Sequence, residues 1–259
     1  MQAIPACAHS GSFRQPLPLK QPLKRPLPIS RESRRRPVDV EDFLALVQKG
    51  MSNPDWEAAL MAAIVAANTA CRSWEIKSLR IGDIDSNSSN PKLLVRRENT
   101  KSDAGAREIE LNGLALWAIT RLFERAATLG ATQPHHYLFP ADLSRHTKLN
   151  DPLKGQRGYD PTRHQQSWRS AWRNMTRASG LPHVHFHDLR HTAITRGREQ
   201  GVNIGILKAI AGHMDARMVE YYSHIGSGVK RDAVDRIGET YGPVAQFLGL
   251  EDVGPESVN

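Results

Sequence analysis

Six of the eleven histidines fall between Pro182 and His224: His183, His185, His187, His191, His213 and His224. Such a cluster has three readings: a metal site, a site that handles phosphate, or chance. The metal reading lacks a firm spacing, because no Glu is bracketed by two histidines on one helix and few acids lie nearby. The phosphate reading gains from what lies between the histidines. His187 and Arg190 stand three apart at a predicted helix start, which puts both side chains on one face. Gly212-His213 closes a later helix, the glycine letting the backbone turn, and Tyr222-Ser223-His224 follows nine residues on.

These residues need elements to hold them. Val40, Phe43, Leu44 and Val47 recur at helical spacing and Gly50 closes that segment. A second helix opens at Ser52-Asn53-Pro54, a capping residue followed by proline at the first helical position, and continues through Trp56, Leu60, Ile64 and Val65 to about Ala70. A short helix over 73–79 ends at Gly82-Asp83. Two β-like runs, 92–97 and 107–111, flank Lys101-Ser102-Asp103-Ala104-Gly105 and predict a hairpin whose tip carries a lysine. Helix resumes over 114–127. The polar stretch 141–164, which contains Gly and Pro, predicts a loop. Further helices are predicted over 165–178, 188–199, 203–211, 215–223 and near 229–240. The expected fold class is mainly α with one small antiparallel β-sheet.

Residues 1–37 carry seven prolines and eight Lys or Arg against one acidic residue. Proline at that density blocks helices and sheet ladders, and there is little apolar mass to bury, so a disordered basic arm is expected. That arm holds +7 of the net +8, leaving about +1 for residues 38–259. A polyanion-binding surface in the folded part must therefore be a local patch. Two cysteines, Cys7 and Cys71, make no disulfide framework and no zinc spacing, which fits a reducing, cytoplasmic compartment. The start of the chain has no apolar signal region. The longest apolar run, 58–67, is half of what a bilayer requires and reads as a buried helix.

Four blocks, in order, resemble the tyrosine recombinase (phage integrase) family. Asn68-Thr69-Ala70-Cys71-Arg72-Ser73-Trp74-Glu75-Ile76, running on to Asp83, resembles the block in which a catalytic Arg precedes an acid by three positions. Thr100-Lys101-Ser102 followed by Arg107-Glu108-Ile109 resembles the hairpin that carries the catalytic lysine. His187-Asp188-Leu189-Arg190-His191, then Gly212-His213, then Tyr221-Tyr222-Ser223-His224 resemble the C-terminal signature. Together the blocks cover roughly residues 38–245.

The resemblance implies a DNA breaking and rejoining catalytic domain over residues 38–245, preceded by the arm at 1–37 and followed by a flexible tail at 246–259. Metal-free displacement at a phosphodiester needs a nucleophile, neutralisation of the charge that develops, and an acid for the leaving oxygen. By resemblance Tyr222 is the nucleophile, forming a 3′-phosphotyrosyl bond and freeing a 5′-hydroxyl. The exchange of one phosphoester for another requires no ATP and no cofactor. Arg72 and Arg190 hold the non-bridging oxygens, where a planar guanidinium matches phosphate geometry. His213 donates a further hydrogen bond, Lys101 is the general acid, and His187 accepts the Tyr222 proton or positions the phosphate. The family spacing of Tyr, any residue, His selects Tyr222 over Tyr221. Glu75, His191 and His224 are supporting residues.

Most members carry a helical core-binding domain before the catalytic one, and the segment before Val38 is too short and proline-rich to form it. The expected partners are double-stranded DNA, a homotetramer on paired sites and accessory DNA-bending factors, with no membrane and with a cytoplasmic, nucleoid-associated location. The leading expectation is site-specific recombination. Set against it are topoisomerase IB-like relaxation of supercoils, a truncated non-catalytic DNA-binding remnant, and a metal-dependent nuclease built on the histidines.

Overall fold

The computed structural model describes residues 37–100, 105–145, 155, 157–212 and 227–250. These described residues group into one compact unit. The chain enters through α1 (Val40–Met51) and a 3₁₀ turn (Pro54–Trp56) whose Asn53 Oδ1 accepts from the Asp55 amide at 3.0 Å. Then comes α2 (Glu57–Thr69), on which every residue from Ala58 to Thr69 is buried. A helix apolar on all sides has no solvent face, so it must stand at the centre of the bundle. α2 accordingly packs against α1, α3 (Ser73–Lys77), α4 (Gly113–Thr128), α5 (Arg169–Ala178), α6 (Phe186–Glu199) and α8 (Ser227–Glu239). Between α6 and α8 lies α7 (Ile204–Ala211), and α9 (Gly242–Phe247) follows α8.

Three strands form one antiparallel sheet, β1 (Ile84–Asp85), β2 (Lys92–Val95) and β3 (Arg107–Glu110), with Val95 opposite Arg107 at the end nearest the hairpin turn. A Cβ on Gly105 would lie 2.5 Å from Thr100 Cβ, so the two flanks of the turn are drawn tightly together and only glycine fits there.

A second sheet corrects the expectation of one sheet and of a loop over 141–164. β4 (Pro140–Asp142) pairs antiparallel with β5 (Tyr159–His164) across an irregular register. Both strands are short and β5 is largely solvent-facing, so no apolar alternation marks them, and only the pairing across the intervening chain makes them strands. The two-residue β1 escaped the sequence for the same reason.

A buried polar network ties the two halves of the helical layer. Asn112 caps α4 through its Oδ1, which accepts from the Ala115 amide at 2.9 Å. Its Nδ2 donates to Asn68 Oδ1 at 2.9 Å and to the Val234 carbonyl at 3.0 Å. The helix predicted near 229–240 folds onto its own domain. Ala233, Val234, Ile237 and Tyr241 are buried in the core of the same chain, and the Tyr241 ring meets Phe43 at 5.0 Å. α9 then runs across residue 245, where the sequence boundary of the domain was drawn, and packs on α1 with Val244 buried. Among the described residues no helix is long and apolar enough to cross a membrane.

Candidate functional site

The site is assembled at the ends of α2, α6 and α7. α2 stops at Ala70, which has φ +52°, the only non-glycine residue with positive φ among those described. A left-handed alanine costs on the order of 1–2 kcal/mol and persists only where its surroundings enforce it. Here the turn aims the Ala70 carbonyl at Arg190, whose Nη1 donates to it. Nη2 of Arg190 donates to the Ala211 carbonyl at 2.7 Å, at the last residue of α7. Two helix C-termini, negative ends of their dipoles, thus face one guanidinium. Arg190 is only 2% exposed. Burial first, and then the like charge of Arg72, pushes its pKa down to about 10, with Glu75 opposing the shift.

Two residues beyond Ala70, Arg72 takes the N-cap position of α3. Its amide donates to Glu75 Oε2 at 2.8 Å and its Nη1 to Glu75 Oε1 at 2.6 Å. The spacing of three that suggested a supporting acid therefore brings Glu75 onto Arg72 in one helical turn. A third cation joins them. Arg107, from β3, reaches Glu75 with Nη2 to Oε2 at 3.0 Å and Nη1 to Oε1 at 3.3 Å. Burial alone would raise the Glu75 pKa, but the bonds and charge of Arg107, followed by those of Arg72, outweigh it and hold the carboxyl below its usual value. Three arginines around one carboxylate leave a surplus of two positive charges. Arg72 faces outward, its side chain 33% exposed, whereas that of Arg107 is 7% exposed.

α6 begins one turn before Arg190. His185 caps it reciprocally with Asp188, the His185 amide donating to Asp188 Oδ2 at 2.8 Å. His187 is exposed in that first turn and stacks edge-on against His191, ring centroids 4.8 Å apart. The starts of α3 and α6 border one cleft of about 290 Å³ that includes Ser73, Lys77, Arg169, His185 and Phe186. Arg72 and His187 each adjoin a residue of that cleft.

The structure thus gathers Arg72, Glu75 and Arg190 into one cluster and places His187 and His191 together on α6. Lys101, His213, Tyr221, Tyr222 and His224 lie outside the described residues, as does the helix predicted over 215–223. Gly212, the residue before His213, ends α7 in the left-handed region at φ +66°. Arg107 was missed as a site residue. An arginine opening a strand after a turn reads as a solvent-facing charge, and only the approach of α7 buries it. Among the described residues no three His, Cys, Asp or Glu side chains converge on a point that would hold a metal ion.

The phage integrase family pattern matches residues 36–227, most of the chain, and the chain belongs to that family. Its mainly helical body with small antiparallel sheets is a tyrosine recombinase catalytic fold. The integrase of mycobacterium phage Brujita superposes with a TM-score of 0.51 at 16% identity, over 83% of this chain and 60% of that one. In sequence, a shufflon-specific DNA recombinase of Escherichia coli is 41% identical over 59 residues, 22% of this chain and 15% of that protein. Prophage phiRv2 integrases of Mycobacterium tuberculosis are 27% identical over 208 residues, 76% of this chain and 49% of theirs. The chain therefore spans about half the length of the prophage integrases it matches.

Proposed function

We propose that this protein is a site-specific DNA recombinase that cuts and rejoins double-stranded DNA through a covalent 3′-phosphotyrosyl intermediate, without metal or ATP. The observation that carries the reading is the preorganised cationic cluster of Arg72, Arg107 and Arg190 around Glu75. A phosphodiester carries one negative charge, and the five-coordinate transition state approaches two. The cluster's surplus of two positive charges is matched to the latter, so it stabilises the transition state more than the ground state. Its donors are already fixed by helix ends and a carboxylate, and need little reorganisation when charge develops.

In this mechanism the Tyr222 oxygen forms a bond to phosphorus as the bond to the 5′-oxygen breaks. The tyrosine proton passes to His187, and the leaving oxygen takes a proton from Lys101. Arg72 and Arg190 hold the non-bridging oxygens, with His213 as a further donor. The reverse reaction, by the 5′-hydroxyl of another strand, completes the exchange. Relatives described as a shufflon-specific DNA recombinase and as prophage integrases support recombination as the outcome. Exposed Arg169, Arg173 and Arg177 recur at four-residue spacing on one face of α5 and supply a local basic patch for duplex DNA. Assembly as a homotetramer on paired sites, accessory bending factors and a nucleoid-associated, cytoplasmic location belong to the same proposal.

The test uses nicked duplexes tiled across the DNA on either side of the protein's own coding sequence, incubated with the full chain in excess EDTA. An SDS-resistant adduct that disappears in Tyr222→Phe is the expected result. DNA binding without an adduct on any duplex would refute the mechanism in favour of a non-catalytic DNA-binding protein. Relaxation of any supercoiled plasmid regardless of sequence would point to topoisomerase IB-like activity instead.

A further inference from the structure

Arg107 makes more directed contacts than a strand residue needs for stability. Its Nε donates to the Ile210 carbonyl at 2.6 Å, and its Nη1 to the Gly105 carbonyl at 2.7 Å and to Glu75 Oε1. Its Nη2 donates to Glu75 Oε2 and approaches Cys71 Sγ at 3.9 Å. All five N–H donors of the guanidinium are thereby directed at acceptors of this chain, leaving none for a DNA phosphate. The acceptors come from three places far apart in sequence: the α3 block, the end of the hairpin turn, and the last turn of α7. A Cβ on Gly212 would lie 2.7 Å from Arg107 Nη1, so the backbone at Gly212 is seated directly on this side chain.

We propose that Arg107 is a positioning residue: acting through Glu75, it sets Arg72 for the scissile phosphate and locks that arrangement to the end of α7. The inference rests on the recombinase reading above. Glu75 is held from two sides. Arg72 holds one oxygen with its Nη1 on the solvent side and the other with its backbone amide, and Arg107 adds a two-bonded grip from the buried side. Removing the buried grip leaves the carboxylate bonded only within its own helical turn, to the Arg72 amide and Nη1, so Glu75 no longer ties the Arg72 guanidinium to β3 and the end of α7. A lysine at 107 keeps the charge, but its single ammonium cannot span two backbone carbonyls and both carboxylate oxygens.

The experiment measures single-turnover cleavage of the duplex that gives the wild-type adduct, for wild type, Arg107→Lys, Glu75→Gln, the double variant and Tyr222→Phe. Each is run with the natural phosphate and with one non-bridging oxygen replaced by methyl, which removes the charge Arg72 neutralises. Thermal unfolding and duplex affinity are followed alongside. Arg107→Lys should fold and bind DNA within about threefold of wild type, yet cleave the natural phosphate roughly 100-fold more slowly, the scale of a misplaced positioning group. On the methyl-substituted linkage its deficit should shrink to less than about tenfold. The double variant should be no slower than the slower single one, because both changes act through the same placement. Wild-type cleavage by Arg107→Lys, an equal deficit on both linkages, a multiplicative double variant, or a loss that merely tracks unfolding each overturns the inference. If wild type itself forms no adduct, the recombinase reading fails and takes the inference with it. If wild type cleaves and Arg107→Lys is unaffected, only the inference fails.

Discussion

Replacing Arg190 with Met should nearly abolish DNA cleavage while leaving the fold almost as stable as it was. Arg190 is 2% exposed and carries its charge beside Arg72 and Arg107. The drop in its pKa to about 10 from the ordinary arginine range corresponds to about 3 kcal/mol of penalty for the charged form at neutral pH. Methionine fills similar space without that penalty. It also deprives the Ala70 and Ala211 carbonyls of their donors, at roughly 1–3 kcal/mol each. The two terms oppose each other, so the net change in unfolding free energy should stay within about 3 kcal/mol of zero. Cleavage should fall by roughly 10²–10³ or more, the usual loss for a donor to transition-state charge. The sign with pH follows from the direction of the shift. The native state holds this proton less tightly than the unfolded chain, so the penalty is present in full below about pH 10 and lifts as pH rises beyond it. Denaturant unfolding with single-turnover cleavage on the same preparations measures both quantities. A loss of more than about 4 kcal/mol would show that Arg190 is chiefly a structural strut. Normal cleavage would remove it from the phosphate site altogether.

Two further outcomes follow from the same geometry. Gly212→Ala should lower the melting temperature and slow cleavage, because φ is +66° and the new methyl would press on Arg107; the left-handed backbone alone costs about 1–2 kcal/mol. A melt indistinguishable from wild type would mean that the end of α7 is free to relax. Glu75 has a depressed pKa, so it contributes stability above about pH 4.5 that is lost as pH falls through its native value. Melting temperatures taken from about pH 6 down to about pH 2 should therefore fall more steeply for wild type than for Glu75→Gln, and parallel curves would contradict the assignment.

The α1 and α2 starts, the β2–β3 hairpin, α4 and α6–α8 were legible because each carries a local signal: apolar periodicity, Asn53-Pro54 capping, or turn residues between β-branched and apolar runs. β1, β4 and β5 were not, since strands of two to six residues without apolar alternation are defined by partners rather than by their own pattern. The pairing of Arg72 with Glu75 was legible from a spacing of three, and so was the helix that carries His187 and Arg190. Spacing could not reveal what surrounds them. Composition and order alone determined the chemical inventory: a tyrosine, arginines, histidines and a lysine in family sequence, without a metal-binding pattern. Only tertiary structure decided that Arg190 is buried against a carbonyl 120 residues away, and that Arg107 is sealed by one 103 residues away. The reason is physical. Helical period and capping act over a few residues, whereas burial, carbonyl capture and the charge surplus around Glu75 exist only once distant helix ends are packed into contact.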